Sequence, residues 1–328
     1  MTNRRARTLQ AAGEAARILA RFPPEPRTSF DIVNAVAKLG FPVIFRPTKE
    51  LLGATITVAK NSQGILITTQ RGLAIQRFTL AHELGHIVLG HEMHFHFLDN
   101  AENDLASRGA SLQEESAAND FASGLLASRR LVANIVKRQR WEASKVGDPA
   151  RVYQLSLRLG ISFQAACWAL AGNSLISVES AKNMTDETEV NGLKRDILSP
   201  YGLEDPWADV WLLTESDAGS VLEAGPNDIF AVNVTDNSSA GFLWRVGTPG
   251  QEFDVVHEKT DISDAYGADS LRVLFLRARD PGSHRLVLQH ERPWSGERLS
   301  QFEISITNFG KEVDGLPRSV KRELLLAH

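Results

Sequence analysis

The chain has 328 residues, 43% of them hydrophobic and 23% charged, the composition of an ordinary globular protein long enough for two cores of usual domain size. Its one cysteine, Cys167, excludes an intramolecular disulfide and a thiolate-rich metal site. The net charge of -4 is uneven, with 21 basic against 15 acidic residues in residues 1–180 and 15 against 25 in the rest; a basic excess this small does not point to direct nucleic-acid binding.

The basic N-terminus runs into Leu9-Gln10-Ala11-Ala12-Gly13-Glu14, which lacks the apolar core of a signal peptide, and no stretch approaches the roughly 18 apolar residues of a membrane span. A cytoplasmic protein without membrane contact is expected. Apolar residues at helical spacing predict a helix over 8–22, ended by Pro23-Pro24, and a second one capped by Ser29 and stopped by Gly40. Residues 41–45, 54–58 and 65–68 read as strands, the last two joined across Asn61-Ser62-Gln63-Gly64. A helix over 74–89 follows and carries His82-Glu83-Leu84-Gly85-His86; another spans 113–126, and helical patterning continues to Ala171. Periodicity fades over 178–205, where Lys182 to Glu189 is polar apart from Met184, and this segment reads as a linker. Beyond Pro206, short alternating apolar runs over 210–213, 229–234, 271–276, 286–288 and 302–306 indicate a β-sandwich. The expected fold class is α+β, with a domain over 1–177 containing a small sheet and a helical bundle, and an all-β domain over 206–328.

Histidines four apart on a helix lie on one face, one turn above the other, so His82 and His86 can reach a single ion. Glu83 is then an unligated carboxylate placed to take a proton from water activated by that ion, the mechanical content of the His-Glu-x-x-His pattern. Gly85 removes a side chain where the metal must be approached. A catalytic zinc needs a third protein ligand, and Glu115 offers one, with Asn119 one turn on to hydrogen-bond the ligands and Glu114 as the alternate. His91, His94 and His96 crowd behind the motif and raise a third histidine ligand as an alternative, but the metzincin spacing would require Gly at Leu89 and His at Glu92, so these three read as surface or loop residues, with weak metal contact or cleft lining as the other reading. One Zn²⁺ per chain is expected, although Mn²⁺ or Fe²⁺ can enter a site of two histidines and a carboxylate.

The run from Gln76 to Leu89, followed by Glu115-Ser116-Ala117-Ala118-Asn119-Asp120-Phe121-Ala122-Ser123-Gly124-Leu125-Leu126, resembles the ImmA/IrrE metallopeptidases, over about residues 17–177. The resemblance implies a zincin-like domain in which His82, His86 and Glu115 bind zinc and Glu83 is the base. It also implies a helix-turn-helix-like closing bundle over Tyr153 to Ile176. Many relatives have an acidic residue where this chain has Ala117. Family members typically cleave a helix-turn-helix repressor in a stress or mobile-element response, so a protein substrate of that kind is implied. In the second half, Asn237-Ser238-Ser239-Ala240-Gly241-Phe242-Leu243-Trp244, Leu274-Phe275-Leu276-Arg277-Ala278 with Pro281-Gly282, and Glu291-Arg292-Pro293-Trp294 resemble the landmarks of chagasin-type inhibitors of papain-like cysteine peptidases, over about 206–310. Those are immunoglobulin-like sandwiches whose loops enter a protease cleft, which makes Asn237, Gly241, Phe242, Arg292, Pro293 and Trp294 candidate partner-binding residues. The family's Asn-Pro-Thr-Thr-Gly loop is altered here, and its glycine-rich central loop shrinks to Tyr266-Gly267-Ala268-Asp269.

Together these readings point to a zinc endopeptidase whose sandwich gates the site, by intramolecular contact between the domains, or recruits substrate. The competing readings are a non-catalytic metal-stabilised module associated with a repressor or DNA, and a cysteine-peptidase inhibitor acting through the C-terminal domain.

Overall fold

A computed structural model of the chain describes residues 2–24, 28–59, 62–91, 95–97, 112–247, 252–261 and 269–308. Its first half runs α1 (Thr2–Arg21), α2 (Ile32–Lys38), β1 (Val43–Arg46), β2 (Leu51–Ala59), β3 (Ser62–Thr68), α3 (Leu73–Leu89), β4 (Phe95–Phe97), α4 (Leu112–Leu126), α5 (Arg129–Arg138), α6 (Pro149–Leu159) and α7 (Phe163–Gly172). Asp31, not Ser29, caps α2, because it directly precedes the first helical residue and its carboxylate accepts from the Asn34 N–H at 3.1 Å. β2 and β3 form a hairpin, β1 joins β3 in parallel and β4 adds to β2, giving the order β1-β3-β2-β4. α3 lies over this sheet, and α4 packs against both α3 and α1. Ile65 and Ile67 of the sheet share one core with Leu80, Leu84, Phe121, Leu125 and Leu170.

The second half runs α8 (Val178–Glu187), α9 (Val190–Leu198), β5 (Val210–Thr214), β6 (Val221–Ala224), β7 (Ile229–Asp236), β8 (Leu243–Val246), β9 (Phe253–Asp261), β10 (Ser270–Ala278), β11 (Gly282–Glu291) and β12 (Arg298–Asn308). Two four-stranded sheets, β5-β7-β10-β9 and β6-β12-β11-β8, enclose a core of Trp211, Phe230 and Leu274 against Trp244, Leu286 and Phe302. Alternate residues of the first sheet, Val210, Ile229, Ala231, Val273 and Phe275, form an outer apolar face.

That outer face explains why residues 178–205 are not the structureless linker their polarity suggests. Ser177 caps α8, whose Ala181 and Met184 are buried in the first core, and Leu198 at the end of α9 is buried on the sheet's outer face. The segment spends its few apolar residues on two different cores, so no single periodic stripe is visible in it.

The halves meet along α6 and β5. β5 is a sheet edge, and α6 satisfies its free backbone with side chains: Gln154 Nε2 donates to Val210 O at 2.8 Å, Gln154 Oε1 accepts from Leu212 N at 2.9 Å, and Tyr153 Oη accepts from Val210 N at 2.8 Å. Beside them Arg158 and Asp217, 5% and 0% exposed, form a forked ion pair with contacts of 3.1 and 3.0 Å. Asp217 also accepts from Gln139 Nε2 at 2.7 Å and Thr214 N at 3.0 Å, so the buried pair is hydrogen-bonded throughout. Arg77 of α3 adds an ion pair to Glu223 of β6 and donates to Phe30 O.

Candidate metal centre

α3 is buried on nearly every side from Gln76 to His86 and ends at Gly90, whose φ of 73° suits glycine. This places His82 and His86 one turn apart in the interior, 3% and 1% exposed. α4 crosses close by because Gly85 has no side chain: a Cβ there would lie 3.0 Å from Phe121 Cδ1 and 3.3 Å from the Ala118 backbone. Gly85 therefore faces α4, not the metal position expected for it. Its effect is indirect, since the close approach brings Glu115 to the histidines.

The Nε2 atoms of His82 and His86 are 2.9 Å apart, and Glu115 reaches them with one oxygen 3.2 Å from the first and the other 3.5 Å from the second. Donor atoms of these three residues all lie within 4.8 Å of one another, a cluster that among the described residues includes Glu115 and not Glu114. Two imidazole nitrogens and a carboxylate oxygen are the donor set of a catalytic zinc, so residues and group fit. The Nδ1 of His82 is 3.0 Å from Asn119 Oδ1, an acceptor that favours a proton on Nδ1 and turns Nε2 into the cluster. Burial alone would lower the His82 pKa, but the Glu115 hydrogen bond and the charges of Glu83 and Glu115 outweigh it and raise it.

Glu83 sits behind the histidines, fully buried. One oxygen accepts from Thr55 Oγ1 of β2 at 3.0 Å; the other, Oε1, is buried without a hydrogen-bond partner. Burial pushes its pKa up to about 7 against the opposing pull of His82 and the Thr55 hydrogen bond. Gly53, also on β2, lets the strand approach: a Cβ would lie 2.4 Å from Thr79 Cγ2 and 3.2 Å from Glu83 Oε1.

Two residues of this arrangement go unread in the sequence. Thr55 carries no local signal, since only the packing of β2 on α3 brings it to Glu83. His91, expected at the surface, is half-buried with its Nδ1 3.0 Å from that of His86, because the turn at Gly90 folds it back over the last turn of α3. His94 lies outside the described residues, as does the side chain of His96.

A groove of about 1000 Å³ opens beside His82 and Asn119, with described wall residues drawn from between Thr8 and Val178. None belongs to the sandwich. The Asn237–Phe242 and Arg292–Trp294 loops instead pack on each other: a Cβ on Gly241 would meet the Trp294 ring at 2.4 Å, Arg292 Nε donates to Ala240 O at 3.1 Å, and its guanidinium lies 4.4 Å from the Phe242 ring centre. Insertion of these loops into the groove of their own chain is thus absent among the described contacts. The sandwich is held by β5 on α6, and neither element supplies a described wall residue of the groove. Trp294 stays 73% exposed, whereas Trp244 is buried and stacked on His290. Tyr266-Gly267-Ala268 lies outside the described residues. No described helix is long and apolar enough to cross a membrane.

Fold and site together define an α+β domain of metallopeptidase type joined to an immunoglobulin-like sandwich. Residues 36–171 match the family model of the IrrE N-terminal-like domain, and residues 223–306 match that of the chagasin family peptidase inhibitor, so the chain carries one domain of each kind. Among characterised proteins it is similar to Amoebiasin-2 of Entamoeba histolytica, 26% identical over 92 residues that make up 27% of this chain and 75% of that one. Among solved structures it is similar to a cysteine protease inhibitor from Entamoeba histolytica, at 23% identity and a TM-score of 0.29, over 32% of this chain and 99% of that one. It is also similar to Amebosin, at 14% identity and a TM-score of 0.26, over 30% of this chain and 95% of that one.

Proposed function

We propose that the chain is a zinc-dependent endopeptidase in which His82, His86 and Glu115 hold one ion and Glu83 moves the proton. The observation that carries this is the convergence of two imidazoles and a carboxylate beside a buried glutamate outside the donor set. Zinc held there supplies Lewis acidity, acidifying water and polarising a peptide carbonyl. Glu83, fixed by Thr55, accepts a proton at its unpartnered oxygen and passes it to the departing amine. A purely structural ion needs no such base, which argues against the non-catalytic module.

On the resemblance to ImmA/IrrE peptidases, the substrate is a helix-turn-helix repressor, cleaved in the cytoplasm during a stress or mobile-element response. The sandwich, which supplies no described wall residue of the groove, serves to recruit that substrate. Incubation with a repressor encoded beside the gene tests the reading. Wild-type chain should cut it, and Glu83→Gln should keep its zinc while losing about 10²-fold or more in turnover, as expected for a general base. Equal cleavage by both would refute the assignment.

A second reading concerns the sandwich alone. The exposed Trp294 resting on Gly241, beside Arg292 on Phe242, presents two joined loops at one end of a chagasin-family domain. Binding of a papain-like cysteine peptidase in trans fits that surface, and titration of papain activity with the full chain and with Trp294→Ala tests it. Absence of inhibition at micromolar chain would exclude it.

A further inference from the structure

The groove beside the metal centre has a character of its own. Ala16 of α1 and Ala165 of α7 line it with no more than methyl groups, and Phe78 adds an apolar wall. Ile75 and Trp168, also in the wall, are 40% and 42% exposed, so much of their apolar surface remains in water. Charge is scarce. Among the described wall residues the one carboxylate, Asp120, accepts from Thr8 Oγ1 at 2.8 Å, and Arg129 is the one permanent cation. A volume of about 1000 Å³ is at the upper end of the range of ligand pockets, room for several side chains.

We infer that this groove binds the side chains flanking the scissile bond, and that the substrate segment is an extended polypeptide with bulky apolar residues on one side of the cut. The inference rests on the peptidase reading. Its argument is continuity: His82 and the Asn119 bonded to it stand in the groove's wall, so the groove adjoins the metal centre on that side. A charged side chain would lose water there and find little countercharge, whereas a leucine-sized side chain gains by leaving water. The chain's own sandwich is not the occupant, since it supplies no described wall residue and is engaged at α6.

The test uses full-length, zinc-loaded Glu83→Gln protein, which cannot consume its ligand, and two fluorescent dodecapeptide pools. One carries Leu, Ile, Phe and Met at its four central positions; the other carries Ser, Thr, Asn and Gln there. The apolar pool should bind at least about tenfold more tightly by anisotropy. Ala16→Phe, at an exposed helix position where a larger side chain fits without unfolding α1, should remove about tenfold of that affinity while leaving zinc content unchanged. Equal binding of the pools, no binding of either, or indifference to Ala16→Phe overturns the inference. Tight, groove-dependent binding of the apolar pool together with a wild-type chain that cuts neither pool refutes the peptidase reading instead.

Discussion

The junction between the halves can be tested by Asp217→Ala. The carboxylate holds Arg158, whose side chain is 1% exposed, and also takes hydrogen bonds from Gln139 and Thr214. Its removal leaves a guanidinium in the interior with only the carbonyls of Gln154 and Leu212 and the Gln154 amide oxygen for partners. Breaking a buried pair from one side costs about 3–5 kcal/mol, because the remaining charge stays desolvated. Hydrogen exchange read by mass spectrometry resolves the loss by segment. Amides of α6 and of β5 should both lose protection by about that amount, since each depends on the same contact. Asp186→Ala, which removes an exposed i,i+4 partner of Lys182, should leave both segments unchanged. The double variant Arg158→Met, Asp217→Leu should recover most of the loss by removing both charges at similar volume. A loss under about 1 kcal/mol for Asp217→Ala, or a double variant no better than the single, would refute the view that this pair joins the halves.

Elemental analysis should find one zinc per chain, abolished by His82→Ala or His86→Ala and weakened far more by Glu115→Ala than by Glu114→Ala; the reverse order would move the third ligand by one residue. Gly53→Val should cost about 1–3 kcal/mol in urea unfolding, because its Cβ would collide with Thr79, and should depress turnover further by displacing Glu83; normal turnover would show that the strand can yield. Thr55→Val removes the hydrogen bond that orients Glu83, so kcat should fall about tenfold with zinc content and KM held, the size expected for a bond to a charged group. An unchanged kcat would show that packing alone orients the carboxylate.

The parts of the site carried by one helix are legible in the sequence, because helical spacing alone puts His82 beside His86 and Glu115 beside Asn119. What joins the helices is not. Gly85 reads as clearance for a metal until the approach of α4 is known, Thr55 gains Glu83 only through tertiary packing, and His91 gains His86 only through the turn at Gly90. The same limit applies to the fold. β11 and the middle of β12 alternate because only one face of their sheet is covered, whereas β7 and β10 are buried on both faces and read as apolar runs, and β9 exposes Val255 and Val256 in succession and leaves no period to read. Residues 178–205 mislead most, since their apolar residues serve two cores. Arg158 reads as one residue of a closing bundle, and only the neighbouring strand reveals it as a buried tie.

The side-chain amide of Gln154, bonded to both Val210 and Leu212, acts as a stopper on a sheet edge that would otherwise accept another strand. A protease nick that released the sandwich from α6 would uncork β5, with its apolar Val210, Trp211, Leu212 and Leu213, and invite self-association. Solubility of the inhibitor-like half is, on this view, a property lent to it by the peptidase-like half, and excision of the sandwich as an independent reagent would require a charged or proline residue in β5 to take the amide's place.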